Sequence, residues 1–320
     1  THRWEEGLGH ETAPDLDSSG WIEIGASGEG GFQSFLFDLG KVRLGAPIIE
    51  YSKAEGGECV DLLLTEILEE GRLCPLVDTE NHCFVALACR AILDKEIDSH
   101  EFYHLLAGRY LVVTVRGTRA KMKIRLAFRP VGYPFEVKGR FCCEDPVLNQ
   151  IWEACAHTQS ICAMDAYVDT PWREQAQWWG DARVQSWNSF ALSGDARLLR
   201  RGIHSIAQQT TPDGLTFGHA PTMAHNCVLP DFSLIWLITL WDYYWQTGSV
   251  EPFLTHRDRI DSILEYFRGA SDGGEGLVRA DSRYWLFLDW TDLPRTGRPA
   301  LLSLWLVEAL EKLGEVAAAA

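Results

Sequence analysis

The stretch Asp169-Thr-Pro-Trp-Arg-Glu-Gln-Ala-Gln-Trp-Trp-Gly-Asp181 sets three carboxylates, one arginine and three tryptophans within thirteen residues, with Pro171 and Gly180 as breakers. A surface loop has no reason to carry three tryptophans, and a core segment has none to carry Asp169, Arg173, Glu174 and Asp181. Charge beside aromatics is costly unless it is paired or functional. The combination suits a sugar site: flat rings take C–H faces, carboxylates and arginine take hydroxyls, and one carboxyl is left for acid catalysis. The plainer alternative is a charged helix cap beside a few core tryptophans.

Around this stretch the chain changes character. Before it, short segments rich in β-branched and apolar residues recur: Phe32–Asp38, closed by Gly40, then Pro47–Ser52, Cys59–Leu64, Tyr110–Val115 and Lys121–Ala127. In the last, Lys121, Lys123 and Arg125 alternate with Met122, Ile124 and Leu126, which predicts one wet and one packed face. Cys83–Leu93 fits strand or helix equally. Strands without long intervening helices predict an antiparallel β-sandwich of jelly-roll type over residues 1–140. The glycine-rich Gly25–Gly31 has no helical pattern after it and reads as a turn rather than a phosphate loop.

After residue 144 helical signals take over. Asp145-Pro146 is a cap followed by proline at the first helical position, and Leu148, Ile151, Trp152, Cys155 and Cys162 continue the stripe. Asp181 and Asp195 are expected to cap the next two helices, the first ending at Gly194. Phe232–Trp245, opened by Asp231 and stopped at Gly248, is apolar nearly all round and predicts burial on every side. A helix from Pro252 to Gly269 and one from Leu301 to about Gly314 follow. Six helices joined by turns, inner and outer, predict the first half of an (α/α)6 toroid over residues 141–320.

Composition narrows the function. The chain has 320 residues, 46% hydrophobic and 23% charged, as in ordinary globular proteins. Its net charge of −16 argues against nucleic acid and anionic membranes as partners. Of its 13 tryptophans, nine fall between Trp172 and Trp290, so flat ligands are to be sought in the second half. Nine cysteines without a CxxC pair read as reduced, mostly buried thiols. With no signal-type stretch and no N-glycosylation acceptor, the expected location is cytoplasmic. No cofactor and no metal are expected: His219, His225 and Cys227 fit no standard zinc spacing, and His100 with His104 lack a third ligand. Serine hydrolysis has no G-x-S-x-G to stand on. Asp242, inside an apolar helix, reads either as a paired structural carboxylate or as an inner-wall sugar contact.

The ordered pattern Asp169-x-Pro171-x-Arg173-Glu174, then Trp178-x-Gly180-Asp181, resembles the α-L-rhamnosidases of glycoside hydrolase family 78, which are six-hairpin glycosidases. Glu144–Cys155 resembles the helix leading into that loop, and Pro230–Trp236 and Phe287–Trp290 resemble two later blocks. Phe37–Gly40 and Gly108–Leu111 resemble pieces of the preceding sandwich. The likeness runs from about residue 30, most strongly over 144–290.

The resemblance implies an inverting hydrolase of terminal α-L-rhamnosides, with rhamnosylated oligosaccharides or glycosides as substrate and oligomerisation left open. Glu174 takes the general-acid position. Asp169 and Asp181, with drying by Trp178 and Trp179, are expected to keep it protonated, while Arg173 opposes this. Asp169, Arg173, Trp178, Asp181, Trp236 and Trp290 are the expected sugar-binding residues. The family's base is a glutamate far downstream, and none of Glu265, Glu275, Glu308, Glu311 or Glu315 stands in a matching context. The chain is therefore expected to be part of a longer protein and to lack the base by itself. The rival readings are a non-catalytic carbohydrate-binding or scaffold protein, and another glycosidase activity on the same toroid.

Overall fold

The structure is a computed structural model and describes residues 11–69, 72–73, 77–78, 83–84, 88–224, 227–274 and 276–320. By internal contacts the chain forms two units: Thr1–Gly132 with Pro171–Arg173, and Tyr133–Thr170 with Glu174–Ala320.

The regular elements of the first unit among the described residues are strands. Its elements are β1 (Trp21–Ile24), β2 (Phe32–Ser52), β3 (Cys59–Thr65), β4 (Leu68–Glu69), β5 (Arg72–Leu73) and β6 (Val77–Asp78), then β7 (Cys83–Phe84), β8 (Ala88–Ile92), β9 (Ser99–Glu101), β10 (Leu106–Arg116) and β11 (Met122–Pro130). Seven make one antiparallel sheet in the order β1-β11-β2-β10-β3-β8, with β9 on β2; β4-β5 and β6-β7 are separate ribbons. Every residue of β3 is buried, as expected for a strand covered on both faces. In β11, Met122 and Ile124 are buried, whereas Lys123 reaches Asp17 at 3.2 Å. The ambiguous Cys83–Leu93 segment holds strands β7 and β8.

Two expected strands proved to be one. Gly40 does not end the first. Instead β2 runs through it at φ 77°, opposite an irregularity between Gly108 and Tyr110 of β10. Asp38 accepts the Gly40 N–H at 2.8 Å and both arms of the Arg109 guanidinium at 2.8 Å. Two buried carboxylates here are satisfied: Asp61 by Arg90 at 2.6 Å and Arg116 at 2.9 Å, and Glu58 by the N–H groups of Glu55 at 2.8 Å and Gly56 at 2.9 Å.

The second unit carries seven α-helices among the described residues: α1 (Pro146–Ile161), α2 (Trp179–Ser193), α3 (Arg197–Gln208), α4 (Pro230–Thr247), α5 (Glu251–Thr255), α6 (Arg257–Ala270) and α7 (Ala300–Ala319). The expected Pro252 helix is divided at His256, which accounts for seven rather than six. Asp145 caps α1 by accepting the Val147 N–H at 2.8 Å. Gly194 and Gly248 close α2 and α4 in the left-handed region, which glycine enters without a Cβ penalty.

Helix α4 is the axis of this unit. Phe232 to Leu240 are all buried, and it packs on α2, α3, α6 and α7. Each such apolar side chain contributes about 1.5–3 kcal/mol on leaving water. Trp241 at its far end donates to Glu315 at 2.5 Å, and the Lys312 ammonium lies 3.8 Å from its ring centre, tying α4 to α7. Helix α1 is different. Leu148, Ile151 and Cys155, the stripe that predicts the helix, are exposed, and Gln159 is its buried residue. Gln159 meets Asn188 at 3.3 Å and Gln185 at 3.4 Å, so α1 is joined to α2 by polar contacts.

Cys59, Cys89, Cys142, Cys143, Cys155, Cys162 and Cys227 are free thiols. Only Cys59 and Cys162 are buried, fewer than expected. No helix among the described residues is long and apolar enough to cross a membrane.

Candidate active site

The loop before α2 is tied at its neck. The Asp169 N–H donates to the Ala176 carbonyl at 3.0 Å, and the Ala176 N–H returns to the Asp169 carboxylate at 3.0 Å. Within the loop the Glu174 N–H reaches the Thr170 hydroxyl at 3.3 Å, and Gln175 adopts a left-handed φ of 49°. A non-glycine residue there is uncommon and marks a turn held by its surroundings. The Trp178 indole then folds back and donates to Glu174 Oε2 at 2.6 Å. Gly180 is required by packing, because a Cβ there would stand 2.7 Å from the Phe232 ring.

This arrangement crowds carboxyls. The Asp169 carboxyl lies close enough to Glu174 to feel its charge. Asp169 is pushed above the usual carboxylate range, first by burial and then by Glu174, against the N–H groups of Ala176 and Thr170. Asp181 keeps one side open to water yet sits in a recess. Loss of surrounding water pushes it up to about 6, opposed by a backbone hydrogen bond and helped by Asp169, Glu174 and Asp289. His219 packs edge-on against Trp178, ring centres 4.3 Å apart; burial lowers its basicity and Glu174 partly restores it. Carboxyls, an imidazole and an indole donor thus gather beside an aromatic wall, with loss of water raising Asp169 and Asp181 above the ordinary carboxylate range.

The expected residues divide accordingly. Asp169, Glu174, Trp178 and Asp181 come together through these bonds and charges. Arg173 is exposed and belongs with Pro171 and Trp172 to the first unit. Trp290 stands 82% exposed, 5.2 Å ring to ring from Phe287, which in turn lies 5.8 Å from Phe232. Phe232 is 6.2 Å from Trp178, so a file of rings runs from the acid loop outward. Trp236 is not in that file. It is 0% exposed and donates to the Ile203 carbonyl at 3.1 Å, joining α4 to α3 inside the core. Trp179, expected to dry the acid, likewise points into the core and donates to Thr239 at 3.0 Å.

Asp181 lies in the first turn of α2 rather than at its cap, which is Trp178. There its negative charge complements the positive helix end. Asp242 is fully buried and paired with Arg183 at 2.7 Å, which makes it structural. His225 and Glu275 lie outside the described residues. No group of three metal-ligating side chains occurs among the described ones. Sequence reasoning missed Phe232, Phe287 and Asp289, although all three stand in the blocks it quoted; the tryptophans beside them drew the attention.

The family model of the bacterial alpha-L-rhamnosidase 6 hairpin glycosidase domain matches residues 136–320. A GH78-family rhamnosidase of Bacillus sp. GL1 is similar at TM-score 0.82 and 26% identity, over 91% of this chain and 30% of its own. A rhamnosidase from Klebsiella oxytoca, solved with rhamnose bound, matches at TM-score 0.66 and 19% identity over 93% of this chain and 63% of its own. An α-L-rhamnosidase of Streptomyces avermitilis complexed with L-rhamnose gives TM-score 0.66 and 17% identity, over 93% and 29%. At those identities the last two speak for the fold. This chain thus spans between 29% and 63% of the length of these three structures. No curated protein matches it. By the match over more than half its length, the chain belongs to the family of bacterial α-L-rhamnosidase six-hairpin glycosidase domains.

Proposed function

We propose that this chain carries the acid half of an inverting α-L-rhamnosidase site. The observation behind this reading is the Trp178 indole held on Glu174 Oε2 at 2.6 Å, beside the Asp169 carboxyl that burial raises above its usual range. Glu174 donates its proton to the leaving oxygen as the glycosidic bond breaks. Asp169, Arg173 and Asp181 take sugar hydroxyls, and Trp178 and Trp290 meet the apolar faces and the methyl group of rhamnose. Rhamnose in the solved Klebsiella and Streptomyces structures supports this substrate class.

The attacking water needs a base across the ring. That role is given to no residue of this chain: Glu265 is committed to Arg268 at 2.8 Å and Glu315 to Trp241 at 2.5 Å, while Glu308 and Glu311 lie on α7. In the same reading, residues 1–140 form a β-sandwich and residues 141–320 the first half of an (α/α)6 toroid. The six-hairpin description of the family and the helix order support the toroid.

Proton NMR of an aryl α-L-rhamnoside during hydrolysis, with this chain joined to the residues that supply the base, tests the reading. β-L-Rhamnose is expected as the first-formed anomer. First release of the α-anomer contradicts inversion, and binding without turnover favours a non-catalytic carbohydrate-binding protein.

A further inference from the structure

Between the acid loop's file of rings and α7 lies a turn whose backbone is unusual. Leu288 and Asp289 are consecutive non-glycine residues in the left-handed region, at φ 46° and 69°. Such a pair persists only where the surroundings over-determine it, and such sites cluster where function needs them.

Two side chains do the determining, from opposite sides. From inside, the carboxylate of Asp231, 2% exposed in the first turn of α4, accepts the Leu288 N–H at 2.8 Å and the Phe287 N–H at 3.5 Å. From outside, the Arg295 guanidinium gathers four carbonyls: Phe287 at 2.9 Å, Asp289 at 2.7 Å, Thr291 at 2.6 Å and Leu293 at 3.2 Å. An arginine serving four backbone oxygens of one turn, with no carboxylate among these bonds, is placed for geometry. Its planar fork suits several fixed acceptors, which a lysine point charge does not. The turn so held presents Asp289 and Trp290 to solvent. Trp290 sits on Phe287 at 5.2 Å and Trp285 at 6.0 Å, continuing the ring file from Trp178, and the Asp289 charge is felt by Asp181.

We propose that Asp231 and Arg295 are positioning residues of the sugar site, clamping the 287–293 turn so that Asp289 joins Asp169, Glu174 and Asp181 as a fourth carboxylate and Trp290 stands as the outer wall. The substrate side of this proposal rests on the rhamnosidase reading above. The clamp itself does not, because Asp289 acts on Asp181 with or without sugar. The charged groups that act most on Asp181 are Asp169 and Glu174 from the acid loop and Asp289 from this turn.

The test uses the full chain with 13C-labelled aspartate carboxyls, following the titration of Asp181. Asp289→Asn removes a like charge and is expected to lower that midpoint. Arg295→Ala, which lets the turn relax away, is expected to lower it in the same direction. The double variant is expected to go no lower than Asp289→Asn alone. Arg295→Lys keeps the charge but loses the fork, and is expected to match Arg295→Ala; it decides the matter if the alanine variant does not fold. In calorimetric titration with L-rhamnose, Arg295→Ala is expected to weaken binding by about tenfold or more, with the fraction of binding-competent chain unchanged. A general loss of folded protein lowers that fraction instead. The clamp is overturned if Arg295→Ala and Arg295→Lys leave the Asp181 midpoint at the wild-type value, or if the two shifts add in the double variant. A wild-type chain that neither binds nor cleaves rhamnosides counts against the rhamnosidase reading, and the titration still decides the clamp.

Discussion

At the scale of single residues, the account turns on how Glu174 is held. Glu174 Oε2 accepts the Trp178 indole N–H at 2.6 Å, so Trp178→Phe keeps an aromatic side chain and removes this donor. Steady-state kinetics of that variant are expected to show a lowered kcat with an unchanged melting temperature. Asp181 offers a test of sign. Its folded value of about 6 lies above the ordinary 3.8, so the folded chain holds this proton more tightly than the unfolded one. The resulting destabilisation grows as pH rises from about 3.8 and is complete above about 6. Asp181→Asn is therefore expected to raise the melting temperature at pH 7, with the gain shrinking on acidification and gone below about pH 3.8. Scanning calorimetry across that range checks it; an equal gain at every pH would contradict a titrating cause.

At the scale of elements, the buried Arg183–Asp242 pair joins α2 to α4. Asp242 is fully buried, and that burial keeps its carboxyl above the usual range even with Arg183 beside it. Arg183→Ala leaves the carboxyl without its partner and is expected to cost about 3–5 kcal/mol in denaturant unfolding. Replacing both by apolar residues is expected to cost much less, since the desolvation penalty goes with the pair. Gly180→Ala drives a methyl toward the Phe232 ring where α2 crosses α4, and about 1–3 kcal/mol of destabilisation is expected by the same measurement.

These elements were legible to different degrees, for physical reasons. Asp145-Pro146, Gly194 and Gly248 are local signals of helix ends, and each stands where a helix begins or ends. The apolar run Phe232–Trp245 announced a buried helix because it carries a single charge, Asp242; burial holds along most of it, but Trp245 at its end is 54% exposed. Other features depend on tertiary partners. Gly40 looked like a strand end, yet the Asp38–Arg109 pair carries β2 through it. Trp236 looked like a pocket wall because it lies near the motif's partners, but the helical phase of α4 turns it toward Ile203. The clamp of Asp231 and Arg295 left no periodic trace, because it is made of side chains bonding to a distant turn's backbone.

At the scale of the whole molecule, a net charge of −16 favours a neutral substrate over an anionic one. Acid response also belongs to this scale. His204 and His256 share a ring-nitrogen hydrogen bond at 2.7 Å, and burial lowers the basicity of both below the ordinary 6.5. The unfolded chain then takes up those protons first, so their contribution is present above about pH 6.5 and lost as pH falls below it. This opposes the relief that acid gives at Asp181.

The claim on which the rest depends is that Glu174 donates the proton in cleavage of an α-L-rhamnoside. The direct measurement pairs hydrolysis of an aryl α-L-rhamnoside with calorimetric binding of L-rhamnose, for the protein and its Glu174→Gln variant. The account predicts a rate loss of about 10²–10⁴-fold in the variant, with rhamnose binding retained. Full activity in Glu174→Gln would contradict it.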